Sequence, residues 1–197
     1  MPQLTLDIVR RLEDASFEMG EIYDSRAHAV GAALAHDRSF TRTEGSRSSL
    51  TRDLVGDAFL ESMSHVGLSA RRGTGGACEV VEYMGGWYAN IRLRRAERRA
   101  DGTYFVRANR ASSFGYVDEG LLEPDYDFVF GFTIDGTELN CFVASVLRVI
   151  EGSPGELVLG DPIEFGGTET VEPVGFNPDP DEFLPGFEGE GEEIQTA

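Results

Sequence analysis

Apolar and polar positions alternate with two different periods along the chain, which divides it into a helical first third and a strand-rich middle. Leu4, Ile8, Leu12, Ala15 and Met19 recur at helical spacing, and residues 27–35 are a run of strong helix formers, so residues 4–38 read as helical. Asp14 and Ser16 are each suited to cap a second turn, which leaves the number of helices here open. Residues 41–49 (TRTEGSRSS) read as a polar linker, with Ser48 or Ser49 capping a helix over residues 50–66. Leu54, Ala58, Met63 and Val66 fall near one stripe of that helix, and Gly67 suits the position just past its end. Residues 71–76 (RRGTGG) read as a flexible turn and lack the GK[ST] ending of a phosphate loop.

From residue 78 the period shortens to two. Residues 78–83, 88–96, 104–108, 128–134 and 139–146 are rich in β-branched and aromatic side chains and read as strands. Gly85-Gly86, Asp101-Gly102 and Asp135-Gly136 are tight hairpin signals, and residues 112–126 form a longer loop. The expectation is an antiparallel meander with a last hairpin added after the loop. Residues 156–160 and 161–172 offer one further short strand each. Residues 175–197, rich in Pro, Gly and acid, cannot form a core of their own. The fold class that follows is α+β: N-terminal helices packed on a mixed, mainly antiparallel sheet, with an acidic C-terminal extension. The divisions are a helical region (1–47), an α+β core (48–174) and an acidic tail (175–197).

The 197 residues suit one domain with an appended tail, and 41% apolar residues are enough for a core. No run of eighteen apolar residues exists, so no membrane span is expected. The N-terminus has no apolar signal core, and a cytoplasmic location is the default expectation. The net charge of −18 is uneven: residues 149–197 carry 13 acids and no basic residue. A total of that sign argues against simple nonspecific DNA binding. It leaves room for a local basic face, because screening acts over about 8 Å at physiological salt. Every one of the 17 basic residues is arginine, and the chain has no lysine. Cys78 and Cys141 lack metal-ligand spacing and read as small buried hydrophobes, with a disulfide between neighbouring strands as the alternative. His28 and His36, eight residues apart, read as solvated or packed helix histidines. Trp87 and Tyr88 follow a Gly-Gly turn and read as hairpin packing rather than a base-stacking platform. No HExxH, GxSxG, Walker or zinc-spaced pattern occurs.

The chemistry-bearing feature is a cluster of arginines on the second and third strands: Arg92, Arg94, Arg95, Arg98, Arg99, Arg107 and Arg110. Strand alternation puts Arg92, Arg94 and Ala96 on one face and Leu93 and Arg95 on the other. With acids on the preceding helix and strand, the order resembles the PD-(D/E)xK superfamily, the restriction-endonuclease-like fold, over about residues 52–150. The stretches that carry the resemblance are Ile91-Arg92-Leu93-Arg94-Arg95-Ala96, then Tyr126-Asp127-Phe128-Val129-Phe130-Gly131-Phe132, then Asn140-Cys141-Phe142-Val143-Ala144. They match the branch with a Q-x-K-x-A strand followed by an aspartate–apolar strand.

The resemblance implies a metal-dependent nuclease. Two carboxylates would hold Mg²⁺ or Mn²⁺, which polarises the phosphate and acidifies the attacking water. A cation beside them steadies the developing charge. Asp57 matches the helix acid, with Glu61 as its alternative, and Glu79 matches the strand acid. Arg94 falls at the lysine position and Arg92 at the glutamine position. Catalysis is thereby assigned to Asp57, Glu79 and Arg94, the metal to Asp57 and Glu79, and nucleic-acid contact to Arg92, Arg95, Arg98, Arg107 and Arg110. Cys78 stands where the family's strand pair begins with Asp, and arginine replaces lysine. Arginine grips phosphate well but stays protonated, so it cannot act as a base. The expectation is therefore an active variant nuclease or a relative that keeps DNA contact without cleavage and needs no metal. The arginines also admit a plainer reading, a solvated sheet face balanced by Glu97, Asp101 and the acidic tail. The competing functional class is a non-catalytic interaction or assembly protein whose acidic tail, with Phe183, Leu184 and Phe187, docks on a basic partner surface.

Overall fold

Thr5 opens the first helix: its hydroxyl accepts the Ile8 backbone N–H at 3.4 Å, the N-cap geometry that satisfies one of the orphan donors of a helix start. In this computed structural model, α1 (Leu6–His36) is one continuous helix, and α2 (Glu44–His65) follows it. The structure describes residues 3–36, 44–73, 77–108, 125–135, 138–152 and 155–166, which fall within the compact unit Met1–Gly167. Ser16 starts no second helix; it is buried, and its hydroxyl donates to the Glu13 carbonyl at 2.7 Å. Ser48 and Ser49 lie inside α2, which begins before them, so the linker reading of residues 44–49 is corrected. The buried stripe of α2 is Val55, Ala58, Phe59, Ser62 and Met63, rotated from the expected one. Gly67 takes φ +76°, Leu68 N–H bonds the Met63 carbonyl at 2.8 Å, and Gly67 N–H bonds that of Ser64 at 3.1 Å. That pair of bonds is the Schellman closure for which glycine suits this position.

Among the described residues eight strands follow: β1 (Ala70–Arg72), β2 (Cys78–Tyr83), β3 (Tyr88–Arg98), β4 (Tyr104–Ala108), β5 (Asp125–Asp135), β6 (Glu138–Ile150), β7 (Gly155–Leu159) and β8 (Ile163–Phe165). Arg71 and Arg72, expected in a turn, form the edge strand β1 against β2. Gly85 and Gly86 both take positive φ between β2 and β3, as a two-residue hairpin loop requires. The next loop is longer than expected: Arg99 N–H bonds the Thr103 carbonyl at 2.8 Å, enclosing three residues with Gly102 at φ +85°. Asp135 and Glu138 pair across the β5–β6 turn, whose residues 136 and 137 lie outside the described ones.

The larger difference is topological. β5 returns parallel to β3, from Tyr88 opposite Asp125 to Arg95 opposite Phe132. A parallel return needs a connection of about a dozen residues or more, and β3 and β5 are separated in the chain by residues 99–124, with β4 among them. The sheet runs β1-β2-β3-β4-β7-β6-β5, and the β3–β5 pairing closes β3, β4, β7, β6 and β5 into a five-stranded barrel. Closure removes the free edges of those strands. Among the described residues the architecture is α+β, two helices on a mixed eight-stranded sheet.

Two cores follow from strand alternation. Toward the helices point Cys78, Val80, Ala89, Ile91, Leu93, Phe128, Phe130 and Phe132, which pack on Leu12, Met19, Val55, Phe59 and Met63. Phe59 of α2 meets Phe130 edge to face at 5.5 Å, both fully buried. Each such ring contributes roughly 1.5–3 kcal/mol by leaving water. The opposite face fills the barrel with Ala96, Val106, Val129, Phe142, Ala144 and Leu157. Tyr104 stacks on Phe142 at 3.9 Å, and its hydroxyl donates to Glu164 at 2.8 Å. Burial and that carboxylate push the Tyr104 phenol up to about 12. Cys78 and Cys141 are free and buried, as the sequence suggested. His28 and His36 are exposed, and Trp87 packs on Tyr126 and Phe128. No helix among the described residues is long and apolar enough to cross a membrane.

Candidate functional site

Four strands contribute alternating charges to one row on the sheet face away from the helices. Arg71 of β1 bonds Glu79 of β2 at 3.0 Å, and Glu79 lies 3.5 Å from Arg92 of β3. Arg92 in turn lies 3.6 Å from Asp127 of β5. The register produces the row: Glu79 is the cross-strand partner of both Arg71 and Arg92, and Asp127 is paired with Asn90, one same-face step from Arg92. The central side chains are largely buried, with 17% exposure at Glu79, 16% at Arg92 and 10% at Asp127.

Arg94 is the next same-face residue after Arg92, and its guanidinium donates to the Leu93 carbonyl at 3.1 Å. Burial, and then the neighbouring Arg92 charge, pull its pKa below the ordinary arginine value, while Glu79 and Asp127 oppose the shift. A guanidinium keeps its proton under such a shift, so Arg94 is a partly desolvated fixed cation. An electrostatic contact made from such a position gains strength from the low local dielectric.

The adjacent arginines of β1 divide between the two faces of the sheet. Arg71 reaches Glu79 on the outer face, whereas Arg72 binds Asp57 of α2 on the helix side. The structure therefore brings Glu79 and Arg94 to one face and keeps Asp57 in the helical layer. Glu61, the alternative helix acid, bonds Arg26 of α1 at 3.0 Å. Asp57 and Glu79, each engaged by a guanidinium on its own side of β2, differ from a cradle in which two carboxylates offer oxygens to one ion. Among the described residues, no group of three or more His, Cys, Asp or Glu side chains is placed to hold a metal.

The outer arginines are mostly strand cross-links. Arg98 pairs with Glu164 at 3.6 Å, Arg99 with Glu156 at 2.8 Å, and Arg107 with Glu97 at 3.6 Å. Arg99 also lies over the Phe105 ring at 5.1 Å. Exposed pairs of this kind contribute about 0–1 kcal/mol each. Arg95 forms no ion pair with a described residue, and Arg110 lies outside the described residues.

Two members of the row, Arg71 and Asp127, were assigned no site role from the sequence, although Asp127 is the aspartate of the aspartate–apolar stretch that carries the resemblance. A signal for Asp127 was present: it is an acid two residues before Val129, on the face opposite Phe128, Phe130 and Phe132. Arg71 gave no such signal, because residues 71–76 resemble a loop. The chain matches no family model, no curated protein and no solved structure.

Proposed function

We propose that this chain is a nucleic-acid-associated, endonuclease-like domain that grips a phosphodiester through Arg92 and Arg94 and does not cleave it. The observation that carries the reading is the position of Arg94: beside Arg92 on one strand and one face, with Glu79 across the hairpin, where the resemblance puts the catalytic lysine. Same-face neighbours on a strand stand roughly 6.8 Å apart, and the guanidinium fork matches phosphate oxygens. Cleavage is left out because the acids are occupied. Glu79 lies between Arg71 and Arg92, and Asp57 is held by Arg72. A cation at the lysine position that never loses its proton stabilises charge and cannot accept a proton.

A non-catalytic interaction or assembly protein is the competing reading. The pairing of Arg98, Arg99 and Arg107 with acids favours it, since those side chains are committed to the fold.

The test is fluorescence anisotropy with short labelled single- and double-stranded DNA at low salt, alongside plasmid nicking in Mg²⁺ and Mn²⁺. Expected are binding that weakens with salt, a salt slope reduced by about one in Arg94→Gln, and no metal-dependent nicking. Nicking that Glu79→Ala abolishes would restore the active-nuclease expectation with Mg²⁺ or Mn²⁺ as cofactor. Absence of binding to either DNA at low salt would leave the interaction-protein reading.

A further inference from the structure

Tyr83 and Tyr88 are the last cross-strand pair of the β2–β3 hairpin before its two-glycine turn, and their rings meet at 5.2 Å. Cross-strand partners share a face, and alternation along each strand identifies which. Cys78 and Val80 of β2, with Ala89, Ile91 and Leu93 of β3, belong to the helix-side core. Tyr83 therefore projects with Glu79, and Tyr88 with Arg92 and Arg94, on the face that carries the arginine row. Trp87 packs on Tyr126 and Phe128 of the helix-side core, whereas its chain neighbour Tyr88 lies on the opposite side of the sheet.

This pair differs from the aromatics of the core. Tyr83 is 55% exposed, and the two rings are tilted by 53° rather than laid face to face. A tilted contact leaves ring face for a third flat group, and covering an exposed ring with one is favourable. Exposed aromatic rings in line with arginines suit a ligand that carries both planar groups and negative charge.

Along β3, Tyr88, Asn90, Arg92 and Arg94 follow one another on this face in alternate positions. The tyrosine end thus stands roughly 14–20 Å from the two arginines, the length of a few nucleotides of a single strand. The two ends of this line differ in charge. Asp125 is the β5 partner of Tyr88 and shares its face, which disfavours a phosphate beside the tyrosines. Arg92 and Arg94 favour one at the other end. Asn90, between them, carries an amide that can both donate to and accept from a base edge.

We propose that this face selects single-stranded over double-stranded nucleic acid, stacking an unpaired base on Tyr83 and Tyr88 while the backbone runs along β3 to the phosphate grip at Arg92 and Arg94, on which this selection depends. A duplex keeps its bases stacked on one another and offers the tyrosines no base face. A single strand exposes its bases, and every base has a face to stack. Phosphate contact alone would favour the duplex, whose charge density is higher.

The experiment is fluorescence anisotropy of the full chain at low salt with short labelled oligothymidylate, oligouridylate, an abasic strand of the same length, and a duplex. The abasic strand keeps every phosphate and lacks the bases. Expected is binding of at least one of the two base-bearing strands that exceeds both the abasic strand and the duplex by about fivefold or more. Tyr83→Leu should lower that binding toward the abasic level, Tyr83→Phe should retain it, and neither should change binding of the abasic strand. Tyr83 is exposed, so the fold tolerates both. An abasic strand or a duplex that binds as tightly as the base-bearing strands would overturn the base contact and leave the phosphate grip standing. So would Tyr83→Leu binding them as tightly as the parent chain. Binding to none of the four would overturn both.

Discussion

Gly131 lies directly beneath the Phe142 ring: the two residues are cross-strand partners on β5 and β6, and a Cβ on Gly131 would fall among the ring carbons. Phe142 is 1% exposed and held from the other side by Tyr104, so it has nowhere to move. The glycine is needed here for space. Gly131→Ala is expected to cost about 1–3 kcal/mol or more, the range for overpacking a filled core. In Gly131→Ala/Phe142→Leu, the smaller side chain makes room, so the double variant should lose less than the sum of the singles. Urea denaturation of the four proteins measures this. Strict additivity would mean that the ring does not set the requirement.

How far the sequence reveals this structure follows from the range over which each signal acts. β2 occupies the expected residues, 78–83, because its period-two pattern and flanking glycines are local. The parallel return of β5 onto β3 was hidden, since the direction of a strand after a long connection is decided by packing of distant faces. Ala96, Val129 and Phe142 close the barrel, yet each reads only as an apolar residue in a strand. The functional row behaves likewise. Arg92 and Arg94 were visible by alternation, but the partners that engage Glu79 depend on register between strands β1, β2 and β3. The separation of Asp57 from Glu79 depends on which side of β2 each lies, which spacing along the chain does not encode.

The charge row makes unequal demands on its members. Arg92 is 16% exposed and shares its charge between Glu79 and Asp127, whereas the Arg71 side chain is 70% exposed. Removing one partner from a largely buried pair leaves the other charge desolvated, while removing a surface partner leaves it in water. Glu79→Gln and Arg92→Gln are each expected to cost about 1–3 kcal/mol, and Arg71→Gln about 0–1 kcal/mol. Chemical denaturation of the three variants at two salt concentrations checks the order. Equal losses at Arg71 and Arg92 would show that solvent screens the whole row.

His65 joins the two helices at their surface. Its imidazole meets the Glu18 carboxylate, linking the end of α2 to the middle of α1. The hydrogen bond to Glu18 and then the Glu18 charge raise its pKa above the ordinary histidine value; desolvation opposes them, and the Glu61 charge adds a lesser upward push. A raised folded-state value means that the native chain holds this proton more tightly than the unfolded chain. The resulting stability is fully present below the ordinary value of about 6.5 and disappears as pH rises through the higher folded value. His65→Gln should therefore lower Tm most in mildly acidic buffer, and the gap from the parent chain should close as pH rises into the alkaline range. Glu18→Gln should remove the same pH-dependent part, because the interaction needs both charges. Thermal melts of the three proteins across that range report it directly. A gap that widens with rising pH would reverse the sign of the linkage and exclude an ion pair at this contact.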